Sequence, residues 1–276
     1  MPELPEVETI RTLLSQGGPN NAPVLGQVIR NARLLWDRSL ATPTPAEFLE
    51  RVRGQSIDQI GRRGKYLIFY LSQDALLVHL RMSGDLLVEP ADAPLAPHHR
   101  LVLDFENGLR LAFNDARKFG RVWLVADPQQ VLAGLGPEPL ETDFTVQTLF
   151  QALQARQRQL KPLLLDQSFL AGLGNIYVDE ALHLAGLHPL ALSNQVSLDQ
   201  AQRLWQGIRQ VLQEGIRRNG ASIDWVYRGG DFQNYFRVYQ RTGEPCPVCA
   251  TPVERIVVGQ RGTHFCPVCQ PAPGRS

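Results

Sequence analysis

Residues 246–269 read CPVCATPVERIVVGQRGTHFCPVC, and the spacing within this stretch decides how the C-terminal end of the chain folds. Cys246 and Cys249 form one C-x2-C pair, Cys266 and Cys269 form a second, and sixteen residues separate the pairs. That spacing fits a zinc site built from two knuckles. Each knuckle lets two thiolates approach one ion, and two knuckles complete a closed tetrahedral shell. Between them, Val253–Val258 is extended and apolar, Gly259-Gln260-Arg261-Gly262 reads as a turn, and Thr263–Cys266 returns, which predicts a β-hairpin. These are the only cysteines in 276 residues. Two disulfides or four unrelated thiols are the alternatives. Disulfides belong to secreted chains, whereas Glu3, Glu6 and Glu8 at the N-terminus do not read as a signal peptide. The expectation is one structural zinc ion.

Upstream of the hairpin the pattern is helical. Leu198, Ala201, Leu204, Trp205, Ile208, Val211 and Leu212 trace one face of a long helix ending at Asn219-Gly220, and Ser197 with Gln200 forms a capping-box signature. Asn175 is placed to cap a helix running to about Ala185, where Gly186 and Pro189 stop it. Val146, Leu149, Phe150 and Leu153 mark another. The Gly- and Pro-rich segment 127–143 reads as a boundary. Before it come short strand-like runs at Tyr66–Leu71, Ala75–Leu80, Arg100–Phe105, Leu109–Phe113 and Arg121–Val125, which suggest a β-sandwich or barrel. Val7, Ile10, Leu13 and Leu14 give residues 3–15 a helical period, stopped by Gly17-Gly18-Pro19.

Length suggests two domains, and 43% hydrophobic with 20% charged residues is ordinary for a globular protein. No apolar run reaches the length of a membrane span. A reducing cytosolic compartment is therefore expected. The formal charge of +1 conceals an asymmetry. From residue 200 onward ten arginines face five acids, a local +5 that leaves −4 on the rest. A basic C-terminal region hints at nucleic-acid binding.

The N-terminus, Met1-Pro2-Glu3, carries chemistry of its own. With Met1 removed, Pro2 presents a secondary α-amine. At pH 7.4 about a fifth of such an amine is unprotonated, against about one part in a thousand of a lysine. It can attack a sugar C1′ to give an iminium ion, the logic of Schiff-base catalysis. Glu3 beside it is a candidate general acid or base. Taken alone, Pro2 could equally serve only to open a helix.

These residues carry a family resemblance. MPELPEVETI (1–10) resembles the N-terminus of the formamidopyrimidine-DNA glycosylases, bacterial base-excision repair enzymes. So do GRRGKYL (61–67), HLRMSG (79–84), DARKFG (115–120), LGPEPL (135–140), KPLLLDQ (161–167), GLGNIYVDE (172–180) and GTHFCPVCQ (262–270). Leu4 favours the branch that prefers oxidised purines over the endonuclease VIII branch, where glycine is usual. The resemblance implies an α+β fold. Its parts are a catalytic β-sandwich with a leading helix over 1–134, a helix–two-turn–helix DNA-binding domain over 135–240, and a zinc ribbon over 241–276.

The resemblance also implies roles. Pro2 attacks C1′ of the damaged nucleotide, Glu3 assists sugar-ring opening and proton transfer, and β- then δ-elimination nicks the strand. Lys65 contacts phosphate near the active site, and His99, Arg117, Asn175 and Arg261 bind DNA. Met82, Arg117 and Phe119 fill the gap left by the extruded base, two as wedges and the arginine against the orphaned cytosine. Ser222, Asp224, Tyr227 and Arg228 lie in the loop that closes over the base. Cys246, Cys249, Cys266 and Cys269 hold Zn2+. The partner implied is damaged double-stranded DNA, met by a monomer in the bacterial cytosol and nucleoid, with no membrane involved.

Three departures bear on specificity. The chain is about four residues shorter than typical members between Gly220 and Val238, and Gln240 and Ala250 stand where glycines are usual. The substrates expected are 8-oxoguanine opposite cytosine and ring-opened purines. The alternatives are the same chemistry on oxidised pyrimidines, or a non-catalytic zinc-ribbon protein that binds DNA.

Overall fold

Alternating apolar runs in the first half of the chain have to find a partner face, and in the computed structural model they find one another. The structure describes residues 1–18, 22–222 and 229–272. They divide into two compact units. Met1–Gly134 forms the body of the first, and Leu135–Ala221 with the segment from Gly230 onward forms the second.

The first unit opens with α1 (Leu4–Gln16). A capping box between Glu3 and Glu6 starts it, and Gly17 with φ 78° ends it. Nine strands follow: β1 (Ile29–Leu34), β2 (Leu40–Thr42), β3 (Ile57–Arg63), β4 (Tyr66–Leu71), β5 (Ala75–His79), β6 (Gly84–Pro90), β7 (His99–Phe105), β8 (Leu109–Asp115) and β9 (Arg121–Val125). α2 (Pro45–Val52) lies between β2 and β3, and α3 (Gln129–Leu132) follows β9. The strands form two sheets, ordered β1-β7-β8-β6 and β2-β9-β5-β4-β3. All pairings are antiparallel except that of β2 with β9. Phe69, Leu76, Val78 and Leu124 from one sheet share a core with Leu101, Leu103, Phe105 and Phe113 from the other. Val7, Ile10 and Leu14 of α1 and Phe48 and Val52 of α2 join that core. The result is a β-sandwich with a leading helix.

The second unit contains α4 (Val146–Gln154), α5 (Leu160–Leu165), α6 (Asn175–Ala185), α7 (Leu198–Arg217) and the hairpin β10 (Glu254–Val258) to β11 (Arg261–Phe265). α6 and α7 pack closely. A Cβ added at Gly215 of α7 would meet the Tyr177 ring at 2.6 Å, so only glycine admits that ring. The capping box of Ser197 with Gln200 forms as the sequence suggests. Leu198, however, is exposed rather than on the buried face. It sits at the first turn, before the helix reaches its neighbours.

Two local expectations change. The N-cap of α6 is Gly174, so Asn175 is the first helical residue and its side chain does not cap. The ribbon turn has two residues, since Val258 pairs with Arg261. Gly259 and Gln260 have φ of 55° and 62°, the signature of a type I′ hairpin. Arg261 therefore opens β11 rather than occupying the turn.

Candidate catalytic end and nucleic-acid interface

Within the first unit, Pro2 is buried and Glu3 is only 3% exposed. The Glu3 N–H donates to Glu6 Oε2 at 2.8 Å, and a carboxylate at a helix N-terminus is favoured by the helix dipole. α1 packs on β3 and β4. Arg62 Nε donates to Glu8 Oε2 at 2.9 Å, tying the helix to the hairpin whose turn carries Lys65. Arg62 and Arg11 hold the Glu8 carboxyl below its usual range against the opposing effect of burial, the largest single influence. Lys65 is 5% exposed, an unusual degree of burial for a lysine.

His79 was not singled out from the sequence, yet the structure places it at this end. It pairs with Tyr66, the residue after Lys65, across β4 and β5. Its Nδ1 accepts the Arg81 backbone N–H at 3.0 Å. Burial first, then the charges of Arg81 and Lys65, push its pKa down to about 3. The ring is therefore neutral near pH 7, with its proton on Nε2. The signal that could have found it is position: His79 closes β5 three residues before Met82.

Met82 and Phe119 are 39% and 49% exposed, large apolar side chains left in solvent. The Arg117 guanidinium lies 5.0 Å from the Phe119 ring centroid. Arg117 N–H donates to Ser83 Oγ at 3.2 Å, so the turns carrying the three residues adjoin. Solvated apolar tips beside a stacked arginine suit insertion between bases.

His99 does not fit its expected role. Its side chain is 1% exposed, with Nε2 3.7 Å from Glu89 Oε1. A ring enclosed within a sheet cannot reach a phosphate from there. His98 is the exposed histidine of the pair. Ser222 is half-buried, whereas Asp224, Tyr227 and Arg228 lie outside the described residues.

In the second unit, Asn175 and the ribbon come together. Asn175 Nδ2 donates to Gly262 O at 3.0 Å, beside the exposed Arg261. Lys161 Nζ donates to the same carbonyl at 3.0 Å and to Asp179 Oδ1 at 2.6 Å. The Lys161 and Asp179 side chains are completely buried. Asp179 Oδ2 accepts the His264 backbone N–H at 2.9 Å. The neighbouring Glu180 accepts backbone N–H groups of Arg237, Val238 and Tyr239 at 2.8, 3.0 and 2.8 Å. Burial pushes its carboxyl up, and those three donors oppose the shift. Two consecutive acids of α6 thus fasten both the ribbon and the segment leading into it.

The four cysteine Sγ atoms lie within 4.8 Å of one another. Cys246–Cys269, Cys249–Cys266 and Cys249–Cys269 are separated by 3.8, 3.4 and 3.5 Å. Tetrahedral zinc with bonds of about 2.3 Å places its sulfurs about 3.8 Å apart, so the residues fit one zinc ion. Four thiolates leave no open position, and the site is structural. His183 Nε2 is 3.3 Å from Cys246 Sγ. Its ring is kept neutral, with a pKa of about 4, by burial and then by Arg237 and Arg241. Gln240 and Ala250 adopt φ of 57° and 61°. These left-handed positions explain why glycine suits them.

Comparison with known proteins agrees along the chain. The formamidopyrimidine-DNA glycosylase N-terminal domain matches residues 1–122, and the H2TH domain of the same enzymes matches residues 135–226. The zinc finger found in FPG and IleRS matches residues 243–272. A formamidopyrimidine-DNA glycosylase of Protochlamydia amoebophila is 45% identical, covering 98% of this chain and 99% of the relative. One of Chloroflexus aggregans is 48% identical, covering 98% of each. The Lactococcus lactis enzyme in complex with FAPY-dG-containing DNA superimposes with a TM-score of 0.89 at 38% identity, covering 98% of this chain and all of that one. The same enzyme with abasic-site DNA also gives 0.89 at 38% identity, with the same coverage. The chain belongs to the formamidopyrimidine-DNA glycosylase family.

Proposed function

We propose that this protein is a bifunctional DNA glycosylase and abasic-site lyase of base-excision repair, removing 8-oxoguanine opposite cytosine and ring-opened purines. The observation that carries the reading is the Pro2-Glu3 pair. Glu3 is buried at the start of α1, beside the residue whose amine removal of Met1 exposes. The division of labour follows the three segments 1–134, 135–240 and 241–276. The first does the chemistry and inserts the wedge, the second grips the backbone, and the third adds Arg261. The protein works on DNA as a monomer in the bacterial cytosol and nucleoid. Among the described residues no helix is long and apolar enough to cross a membrane.

The chemistry balances as follows. The neutral Pro2 amine attacks C1′, and the glycosidic bond breaks with its electron pair on the departing base, which takes up a proton. The amine proton is lost. The C1′–O4′ bond then breaks, Glu3 delivers a proton to O4′, and an iminium joins Pro2 to C1′. The iminium acidifies the C2′ proton. Its removal expels the 3′ phosphate, and a second elimination expels the 5′ phosphate. Water finally hydrolyses the adduct and frees Pro2. Lys65 and the neutral Nε2–H of His79 offer donors to the phosphate beside the reacting sugar. Asn175 and Arg261 act on the backbone, and the zinc holds the hairpin that presents Arg261.

Borohydride should trap the protein covalently on damaged duplex through Pro2. Pro2→Gly should lose trapping and abasic-site nicking, and equal nicking by both proteins would remove Pro2 from the mechanism. Mass spectrometry reads whether Met1 is gone. The short segment between Gly220 and Val238 favours one second reading, a preference for oxidised pyrimidines. A panel of single-lesion duplexes separates the two.

A further inference from the structure

The two turns that carry the wedge residues come from different strand connections, yet they end on one side chain. Asp115 is the last residue of β8 and pairs with Gly84, the first residue of β6. That register sets its carboxylate beside Ser83, the neighbour of Met82. Asp115 Oδ1 accepts the Ser83 hydroxyl and the Arg117 backbone N–H at 3.2 Å. Oδ2 accepts the Gly120 N–H at 2.8 Å. One carboxylate, 1% exposed, thereby closes the 117–120 turn at both ends and joins it to the 81–84 turn. Its backbone is fixed as well. Asp115 O accepts Arg100 Nε at 2.7 Å, and Asp115 N–H donates to His98 O at 2.8 Å. A buried carboxylate needs donors of this kind to offset its lost hydration.

Packing repeats the connection. A Cβ at Gly120 would lie 2.2 Å from Phe113 Cζ, and one at Gly84 would lie 2.9 Å from Phe113 Cε2. Both turns therefore close on the same aromatic ring, itself 1% exposed. Above this base the tips are solvated: Met82 and Phe119 project, with Arg117 over Phe119. The arrangement is a rigid foundation under three exposed side chains.

We propose that Asp115 is the positioning residue that couples the Met82 turn to the Arg117–Phe119 turn, so that the three side chains enter the duplex as one body. This rests on the reading of Met82, Arg117 and Phe119 as the wedge. The coupling acts on extrusion of a stacked base, not on attack at C1′. It matters most for a duplex whose damaged base must leave the stack, and least where the base is already missing.

Asp115→Asn keeps the size and the Oδ1 acceptor but turns an N–H donor toward the Gly120 N–H. Ser83→Ala removes the hydroxyl that bonds both Asp115 Oδ1 and the Arg117 N–H, leaves the bonds of Asp115 to Arg117 and Gly120, and tests the same device where Asp115→Asn fails to fold. Single-turnover excision from an 8-oxoguanine duplex should fall on the order of tenfold or more in either variant, while abasic-site nicking stays within about twofold of wild type. The double variant should lose less than the product of the two single losses, because both cut one linkage. Equal losses on both substrates, no loss on the lesion duplex, or fully multiplicative losses would each overturn the proposal. Phe119→Ala is the control on the underlying reading. If it excises as wild type does, the wedge assignment and the coupling fall together. If it is impaired while Asp115→Asn is not, only the coupling falls.

Discussion

The two turns of the sandwich that carry Met82 and Phe119 cross from one sheet to the other, whereas the zinc ribbon is a hairpin; both present exposed side chains, but they are held by different means. The turns of Met82 and Phe119 stand on a two-sheet core shared with two helices, and hydrogen bonds trim their geometry. The ribbon is a two-stranded hairpin with little core of its own, held by four thiolates and by the buried Lys161–Asp179 pair. A small hairpin cannot bury enough apolar surface to stand alone. Damage to the first region should be graded, and damage to the second close to all-or-none.

The largest effect should come from Cys249→Ser, which removes one of four zinc ligands. Metal content should drop, DNA binding should be lost, and the sandwich should keep its own unfolding transition. Metal analysis, a binding titration and circular dichroism read the three parts. Undiminished affinity would refute the role assigned to the ribbon.

Next comes Lys161→Ala. It leaves Asp179 buried without its cation, which should destabilise the second unit by about 3–5 kcal/mol. Urea denaturation followed by a zinc-sensitive dye measures this. A loss under about 1 kcal/mol, the range of exposed pairs, would mean that solvent reaches the pair.

The smallest and most graded effect belongs to His79. Its pKa is about 3 when folded, against an ordinary value of 6.5. Between those values the unfolded chain binds a proton that the folded ring refuses. Stability therefore falls as pH drops through 6.5 and continues to fall toward 3. From pH 7 to 5 this amounts to about 2 kcal/mol. His79→Asn lacks the ring and should lose that much less over the same interval, while the pH sensitivity of the thiolates is common to both proteins. Parallel losses in wild type and variant would show that the ring is not excluded from protonation.

Much of this was legible in the residues. The cysteine spacing, the strand runs from Tyr66 to Val125 and the capping box at Ser197 depend on local period or local chemistry, and the elements follow them within a residue or two. β3 and β6 were not legible, because IDQIGRR and GDLLVEP mix polar residues into strands that take their pairing from neighbours. α2 was missed although Thr44 and Pro45 announce it, since its eight residues give a short period. Among the candidate functional residues, motif matching pointed to the exposed tips, Met82, Arg117 and Phe119. It could not separate His98 from His99, because only the fold puts the first in the turn before β7 and the second at the start of that strand. Nor could it reveal Asp115 as a shared anchor, which depends on the register of β8 with β6.

The Lys161–Asp179–Gly262 contact has one more consequence. It joins α5, α6 and the ribbon through groups far apart in the chain, so zinc affinity and helix docking are thermodynamically linked. Whatever free energy docking lends to metal retention, the bound metal returns to docking in equal measure. The equilibrium affinity for zinc, read by competition with a chelator on the intact protein, is then a gauge of how firmly α6 grips the hairpin. It can be read in solution without any DNA present.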